Sequence, residues 1–178
     1  PHKAARTRKM LDQLLQTYKK TRRSNLKPTQ VPFNTVLNAC AFSSIGTSQE
    51  ERKEALMLAV STYSGMRREG IEPDTVSYGN MIKSLANLMP AGEARTRMAL
   101  QVFDRCCENG MVGNLVWNEV RRAVPGWKLD QTYRLRKPCG KMDLRDLPRN
   151  WRQRNRFDRN APESRHQGRK HNQGPKRS

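Results

Sequence analysis

The sequence has little with which to do covalent chemistry or to cross a membrane. Its three histidines, His2, His166 and His171, all lie near the ends. No HxE motif accompanies a CxxC pair, which argues against a zinc deaminase centre. No carboxylate cluster suits metal-dependent phosphodiester cleavage. A P-loop and a dinucleotide-binding glycine fingerprint are both missing. With no catalytic, metal or cofactor set, the chain reads as a non-enzyme. The four cysteines, Cys40, Cys106, Cys107 and Cys139, form no CxxC and show no disulfide framework. They read as small, partly buried helix residues in a reducing compartment, with the adjacent Cys106 and Cys107 on different faces. No apolar run approaches the roughly 20 residues of a membrane span. No secretory signal pattern is visible, and the first residue is Pro1 rather than methionine. Aromatics make up 6% and hydrophobic residues 35% of the 178 residues, low for a compact globule. Part of the chain is therefore expected to stay unpacked.

Positive charge is what the sequence has in excess, with a formal net charge of +19. Residues 1–30 carry nine Lys/Arg and one Asp, residues 31–120 eight basic and ten acidic side chains, and residues 121–178 eighteen basic and five acidic. A nearly neutral centre thus stands between two basic ends. A partner rich in phosphate fits that distribution. A solvated tail that serves only solubility fits it too.

Apolar residues recur at helical spacing along most of the chain. Residues 4–23 read as one amphipathic helix with Leu11, Leu14, Leu15 and Tyr18 on a stripe, Asn25 as its stop and Pro28 as breaker. No helix precedes it to cover that stripe. Residues 31–41 form a second helix, with Pro32 in the first turn and Phe33, Val36, Leu37 and Cys40 inward. Residues 43–48 form a polar loop. Residues 49–69 form a third helix, its glutamates at the positive end of the helix dipole and Leu56, Ala59, Val60, Tyr63 and Met66 inward. Residues 75–88 (Tyr78, Met81, Ile82, Leu85) and 93–108 (Met98, Ala99, Val102, Phe103, Cys106) follow, separated by a turn at 89–92. A sixth helix starts near Leu115 with Trp117, Val120 and Val124, and Pro125-Gly126 ends it. Trp127, Leu129, Tyr133 and Leu135 are candidates to cover the last helix pair, and residues 147–151 read as a short helical start. From about Arg152 onward the composition cannot offset its ordering entropy, which predicts a disordered basic tail.

The junction at residues 63–78, YSGMRREGIEPDTVSY, shows how these helices are linked. Gly70 follows the basic pair Arg67-Arg68, as at many helix C-termini. Pro73 cannot continue that helix, and Asp74 or Thr75 can cap the next. Comparable junctions stand on both sides. The late aromatics are Tyr18, Tyr63 and Phe103, the helix-ending residues Asn25, Gly70 and Gly110, and the early aromatics Phe33, Tyr78 and Trp117. They recur at spacings of 45 and then 39 or 40 residues. Each helix pair cannot bury its stripe alone, so stacking of neighbours is expected.

With these words, VPFNTVLNAC (31–40), ALMLAVSTYSGMRREGIEPD (55–74) and VSYGNMIKSL (76–85), the chain resembles the pentatricopeptide repeat family. The resemblance spans about residues 11–124. Both full repeats exceed the family's usual length, and the second ends in GMVGN (110–114) instead of Pro-Asp. The implied fold is all-α: antiparallel helix pairs stacked as a short right-handed α-solenoid, with the disordered basic C-terminal tail. The implied parts are the second helix of a truncated preceding repeat (1–29), repeats at 30–74 and 75–114, the first helix of a further repeat plus a C-terminal cap (115–150), and the tail (151–178).

The resemblance further implies binding of single-stranded RNA, about one base per repeat, in the RNA processing, stability or translation of a mitochondrion or chloroplast. First helices line the binding face. A short polar side chain one residue after the early aromatic reads the base edge, at Asn34, Gly79 and Asn118. An apolar side chain two residues before that aromatic packs on the base, at Val31, Val76 and Leu115. The last residue of each repeat is a second reader, at Thr29, Asp74, and Gly113 or Asn114. Asn34 with Asp74 is similar to a uracil-preferring pair, whereas Gly79 has no side chain with which to discriminate. The plainer readings stand beside these. Asn34 and Asn118 can be ordinary exposed residues, Asp74 a helix cap, and Phe33, Tyr78 and Trp117 core rather than stacking platforms. Lys19, Lys20, Arg22, Arg23 and Lys27 at the first junction are candidate phosphate contacts, as are Arg149, Arg152, Arg154, Arg156 and Arg159 near the tail. The alternative to RNA reading is a protein-binding helical scaffold whose tail docks on a ribosome or another RNA-rich assembly. No membrane partner is expected.

Overall fold

The structure, a computed structural model, describes residues 3–43 and 48–154. Among them are eight α-helices and no strand: α1 Lys3–Thr21, α2 Gln30–Ala41, α3 Gln49–Arg68, α4 Thr75–Leu88, α5 Glu93–Glu108, α6 Asn114–Ala123, α7 Gly126–Tyr133 and α8 Arg149–Arg152. None of these helices is long and apolar enough to cross a membrane. His2, His166, His171, Arg156 and Arg159 lie outside the described residues, as does the expected disordered tail beyond Arg154.

The helix ends follow local chemistry. Ser48 caps α3 through a reciprocal box with Glu51, and Asp74 caps α4 through one with Ser77. The stops after α3 and α5 are the same motif. Gly70 (φ 69°) donates to the Arg67 carbonyl, and Ile71 donates to Met66. Gly110 (φ 66°) donates to Cys107, and Met111 donates to Cys106. Both are Schellman closures, which need a left-handed residue and therefore favour glycine. The stop of α1 differs from expectation. Asn25 sits in a separate 3-10 turn, Ser24–Leu26, and α1 closes at Arg22, which adopts the left-handed conformation (φ 53°). The Arg22 N–H still reaches the Tyr18 carbonyl, and its guanidinium lies 5.9 Å from the Tyr18 ring. Those two contacts hold a conformation that a non-glycine residue otherwise avoids.

Helices α2, α4 and α6 form a row, each touching the next. Helix α1 packs on α2 and α3, α3 on α2 and α4, and α5 on α4 and α6. Helix α4 is central, and ten of its fourteen residues are buried. The early aromatics Phe33, Tyr78 and Trp117 are 1%, 2% and 2% exposed, which makes them core residues and not stacking platforms. Two of the three late aromatics meet the next early one: Tyr63 lies edge-on to Tyr78 at 6.1 Å, and Phe103 lies 6.2 Å from Trp117. Such ring pairs add about 1 kcal/mol each beyond the area they bury. All four cysteines are buried and unbridged. Burial raises the Cys40 thiol pKa to about 11 and pushes Cys106, Cys107 and Cys139 upward as well.

The C-terminal part is more ordered than its composition predicts. Pro125 and Gly126 end α6 but also begin α7, which buries Leu129. Tyr133 and Trp151 pack edge-on to each other and to Phe103, with centroids 5.2–5.7 Å apart. The Val112 N–H donates to the Trp151 carbonyl at 2.8 Å, and the Arg154 N–H donates to Gly110 at 2.9 Å. These contacts reach Arg154, so the described residues overlap the expected onset of disorder at about Arg152. One half-buried aromatic, Trp151, and two backbone bonds anchor a stretch that is otherwise polar. Trp127, a candidate cover for this end, is instead 67% exposed. Its ring lies beside the Lys128 ammonium, 5.6 Å away, so Leu129 and Trp151 do the covering.

Candidate nucleic-acid interface

The residues singled out on the first helices lie on α2, α4 and α6, and among them Asn34 meets Asp74 at the start of α4. Thr29 caps α2, its hydroxyl accepting from the Val31 N–H. Val31, in the first turn, is 70% exposed, a large apolar side chain left to solvent. Asn34 lies one turn further on. Its Nδ2 donates to Asp74 Oδ1 at 3.1 Å, across 40 residues of sequence. Ser77 Oγ lies 2.6 Å from Asn34 Oδ1 and 2.9 Å from Asp74 Oδ1, so its single proton serves the pair. The Ser77 N–H donates to Asp74 Oδ1 at 2.8 Å. Asp74 is thus a cap and a partner of Asn34 at once. Its Oδ2 takes no hydrogen bond among the described residues, and Asn34 is only partly buried. One carboxylate oxygen and one amide proton of this pair are left for another partner.

The second unit is built differently. A Cβ on Gly79 would meet Leu115 Cγ and Cδ2 at 2.5 Å. Gly79 is buried, and the Leu115 side chain occupies the space above it. Gly79 thus presents no side chain and lies beneath Leu115. Its missing side chain lets α6 approach α4, and Leu115 packs on the glycine. Val76 is half-buried. Gly113 supplies no side-chain cap to α6, and Asn114 is exposed at its first position. Asn118 is exposed, and its Oδ1 accepts from Arg121 Nη2 at 2.7 Å. The same guanidinium lies 5.5 Å from the Trp117 ring and reaches the Cys139 carbonyl at 3.5 Å.

The basic cluster sits at the turn between α1 and α2, beside the α2 end that carries Thr29 and Val31. Lys19 is held 2.6 Å from Glu69, so its charge is opposed. Lys20, Arg23 and Lys27 are exposed and make no ion pair among the described residues. Towards the other end of the row, Lys83 lies 4.0 Å from the ring centroid of Phe42, which is 54% exposed.

A polar seam between α2 and α4 was not anticipated. Asn80 Nδ2 lies 3.4 Å from the Asn34 carbonyl, and Asn87 Nδ2 donates to Ala41 at 2.8 Å. Ser84 lies between them. Its hydroxyl donates to Asn80 at 2.8 Å and sits 3.5 Å from the Leu37 carbonyl. Ser77, Asn80, Ser84 and Asn87 recur at spacings of three and four, a second helical stripe beside the apolar one. That spacing was the available signal. Arg122 Nη2 donates to Asn87 Oδ1 at 2.8 Å and Arg122 also pairs with Glu119, so the seam extends to α6.

Compared with family models, curated proteins and solved structures, the chain finds no match.

Proposed function

We propose that the helix pairs are units of a short right-handed α-solenoid of the pentatricopeptide type, and that the face carrying Val31, Asn34, Asp74 and Asn118 binds single-stranded RNA. The carrying observation is the Asn34–Asp74 pair. The resemblance names these two positions as joint readers of one base, and their side chains lie 3.1 Å apart although 40 residues separate them. Val31, one turn before Asn34 and 70% exposed, supplies an apolar surface for a base plane. Lys20, Arg23 and Lys27 supply phosphate attraction beside the same helix end. One reader pair and one further asparagine give weak binding and slight base preference. In this reading the chain works in the RNA metabolism of a mitochondrion or chloroplast and is not itself an enzyme.

The test is binding of short labelled homopolymers to the full chain at several salt concentrations. The expected outcome is a modest preference for oligouridine that Asn34→Ala abolishes while leaving the salt dependence unchanged. Equal affinity for all homopolymers, or a preference that survives Asn34→Ala, would falsify base reading by this pair. Asn34→Ala also removes the bonds to Asp74 and Ser77, so its melting temperature is measured alongside.

A further inference from the structure

The turn between α7 and α8 encloses a groove of about 390 Å³, set apart from the Asn34 face. Arg134, Arg136, Arg145 and Arg149 stand along it, all exposed. Met142 and Leu147, 4% and 2% exposed, pack beneath it. Asp146 is the single carboxylate of the lining, and its charge is already engaged. Its Oδ1 accepts from Lys137 Nζ at 3.1 Å and its Oδ2 from the Asp143 N–H at 3.1 Å. The four guanidiniums, in contrast, make no ion pair or side-chain hydrogen bond among the described residues.

The groove is held in shape from several directions. Arg152 donates to the Leu147 and Arg145 carbonyls at 3.4 and 3.2 Å, which fixes one wall. The Trp117 indole N–H donates to the Met142 carbonyl at 3.2 Å, which ties the floor to α6. The Leu135 N–H donates to the Asp130 carbonyl at 3.3 Å, which fixes the other wall at the end of α7. Four planar, permanently charged donors on a fixed rim over an apolar floor suit an anion with many oxygens.

We propose that this groove is a phosphate-binding site that holds the sugar–phosphate backbone of a single strand, without reading its bases. The identity of the strand rests on the RNA reading above; the groove itself does not. A free polyphosphate offers the same oxygens, and the test separates the two sources.

The experiment compares the full chain with Arg136→Ala/Arg145→Ala and with a charge-matched control, Arg52→Ala/Arg97→Ala, whose residues are exposed on α3 and α5. The probes are labelled oligouridine over a range of salt and inorganic tripolyphosphate as competitor, with melting curves to verify folding. The groove variant is expected to bind the oligonucleotide about tenfold more weakly. Its salt slope should fall by about 1.4, the loss of two contacts at roughly 0.7 each on single strands. The control should lose no more than about twofold, and base preference should be unchanged in both. Equal losses in the two variants would show diffuse charge and overturn the site. A base preference that persists while the groove variant binds normally refutes the groove and leaves the RNA reading standing. Tripolyphosphate binding that needs Arg136 and Arg145, without oligonucleotide binding, overturns the strand as occupant and the RNA reading with it.

Discussion

Replacing Gly79 by alanine sets two effects of known sign against each other. Within α4 the added methyl favours the helix by about 1 kcal/mol over glycine. The same Cβ lands 2.5 Å from Leu115 Cγ and Cδ2, well inside contact distance. Leu115 is only half-buried, so it can swing aside, but it then gives up its packing on α4. Overpacking of this kind costs about 1–3 kcal/mol. The net change for Gly79→Ala should be a loss of about 0–2 kcal/mol. In a Leu115→Ala background the nearest remaining Leu115 atom of the present structure is Cβ, 3.4 Å away, an ordinary contact. There the propensity term stands alone, and Gly79→Ala should stabilise by about 0.5–1 kcal/mol. The four proteins form a double-mutant cycle, read by urea denaturation with the slopes compared for constancy. A coupling of about 1–3 kcal/mol is expected. Coupling within about 0.3 kcal/mol would mean that Leu115 does not rest on Gly79, and the contact between α4 and α6 would have to be redrawn.

Arg95 offers a second test, since its Nε donates to Ala123 at 3.1 Å and its Nη1 lies 3.4 Å from both Ala86 and Met89. Arg95→Ala should cost about 1.5–3 kcal/mol by leaving carbonyls at the ends of α4 and α6 without this cation, and lysine should restore less than half; an unchanged urea midpoint refutes the role. Trp151→Ala should cost about 2 kcal/mol by opening the cluster with Phe103 and Tyr133, and a loss below about 0.5 kcal/mol would mean the C-terminal segment does not stabilise the helices before it. The thiols predict an alkaline weakness. Unfolded cysteines ionise near pH 8.5, while burial holds Cys40 neutral to about pH 11 and raises the other three. The unfolded chain therefore loses protons first as pH rises, so this contribution to stability is complete below about pH 8.5 and declines above it. Iodoacetamide at that pH should modify the native chain far more slowly than the urea-unfolded one, and equal rates would place the thiols at the surface.

Helix placement was legible because it depends on neighbours in sequence. The bounds of α4 and α5 follow from apolar period, Asp74 as a cap, and Gly92 and Gly110 at the turns. The stop of α1 departs from the expectation because it depends on a side-chain contact. Asn25 is a good left-handed residue in isolation, but Arg22 takes that conformation because Tyr18 lies one turn behind it to receive its guanidinium. The two tryptophans after α6 show the limit of composition. Trp127 is exposed and Trp151 packs on Phe103, a difference set by which helix each one faces. The polar seam is not legible in the sequence by residue type, because Asn80, Ser84 and Asn87 have the composition of a solvent face. They are drawn inward because α4 has neighbours on several sides.

The sequence by itself determined the all-helical class and the recurring helix–turn–helix junctions, with Asp74 as a helix cap. Those rest on period, capping and repeat alignment, which are properties of local sequence; the pairing of Asn34 with Asp74 was only what the family resemblance implies. Only the tertiary structure decided what these positions contact. It brought Asp74 to Asn34 as well as to the α4 terminus, set Leu115 over Gly79, and gathered four arginines around a groove between α7 and α8. Such juxtapositions join residues tens of positions apart, and they follow from how closely neighbouring helices can approach rather than from any local preference of the chain.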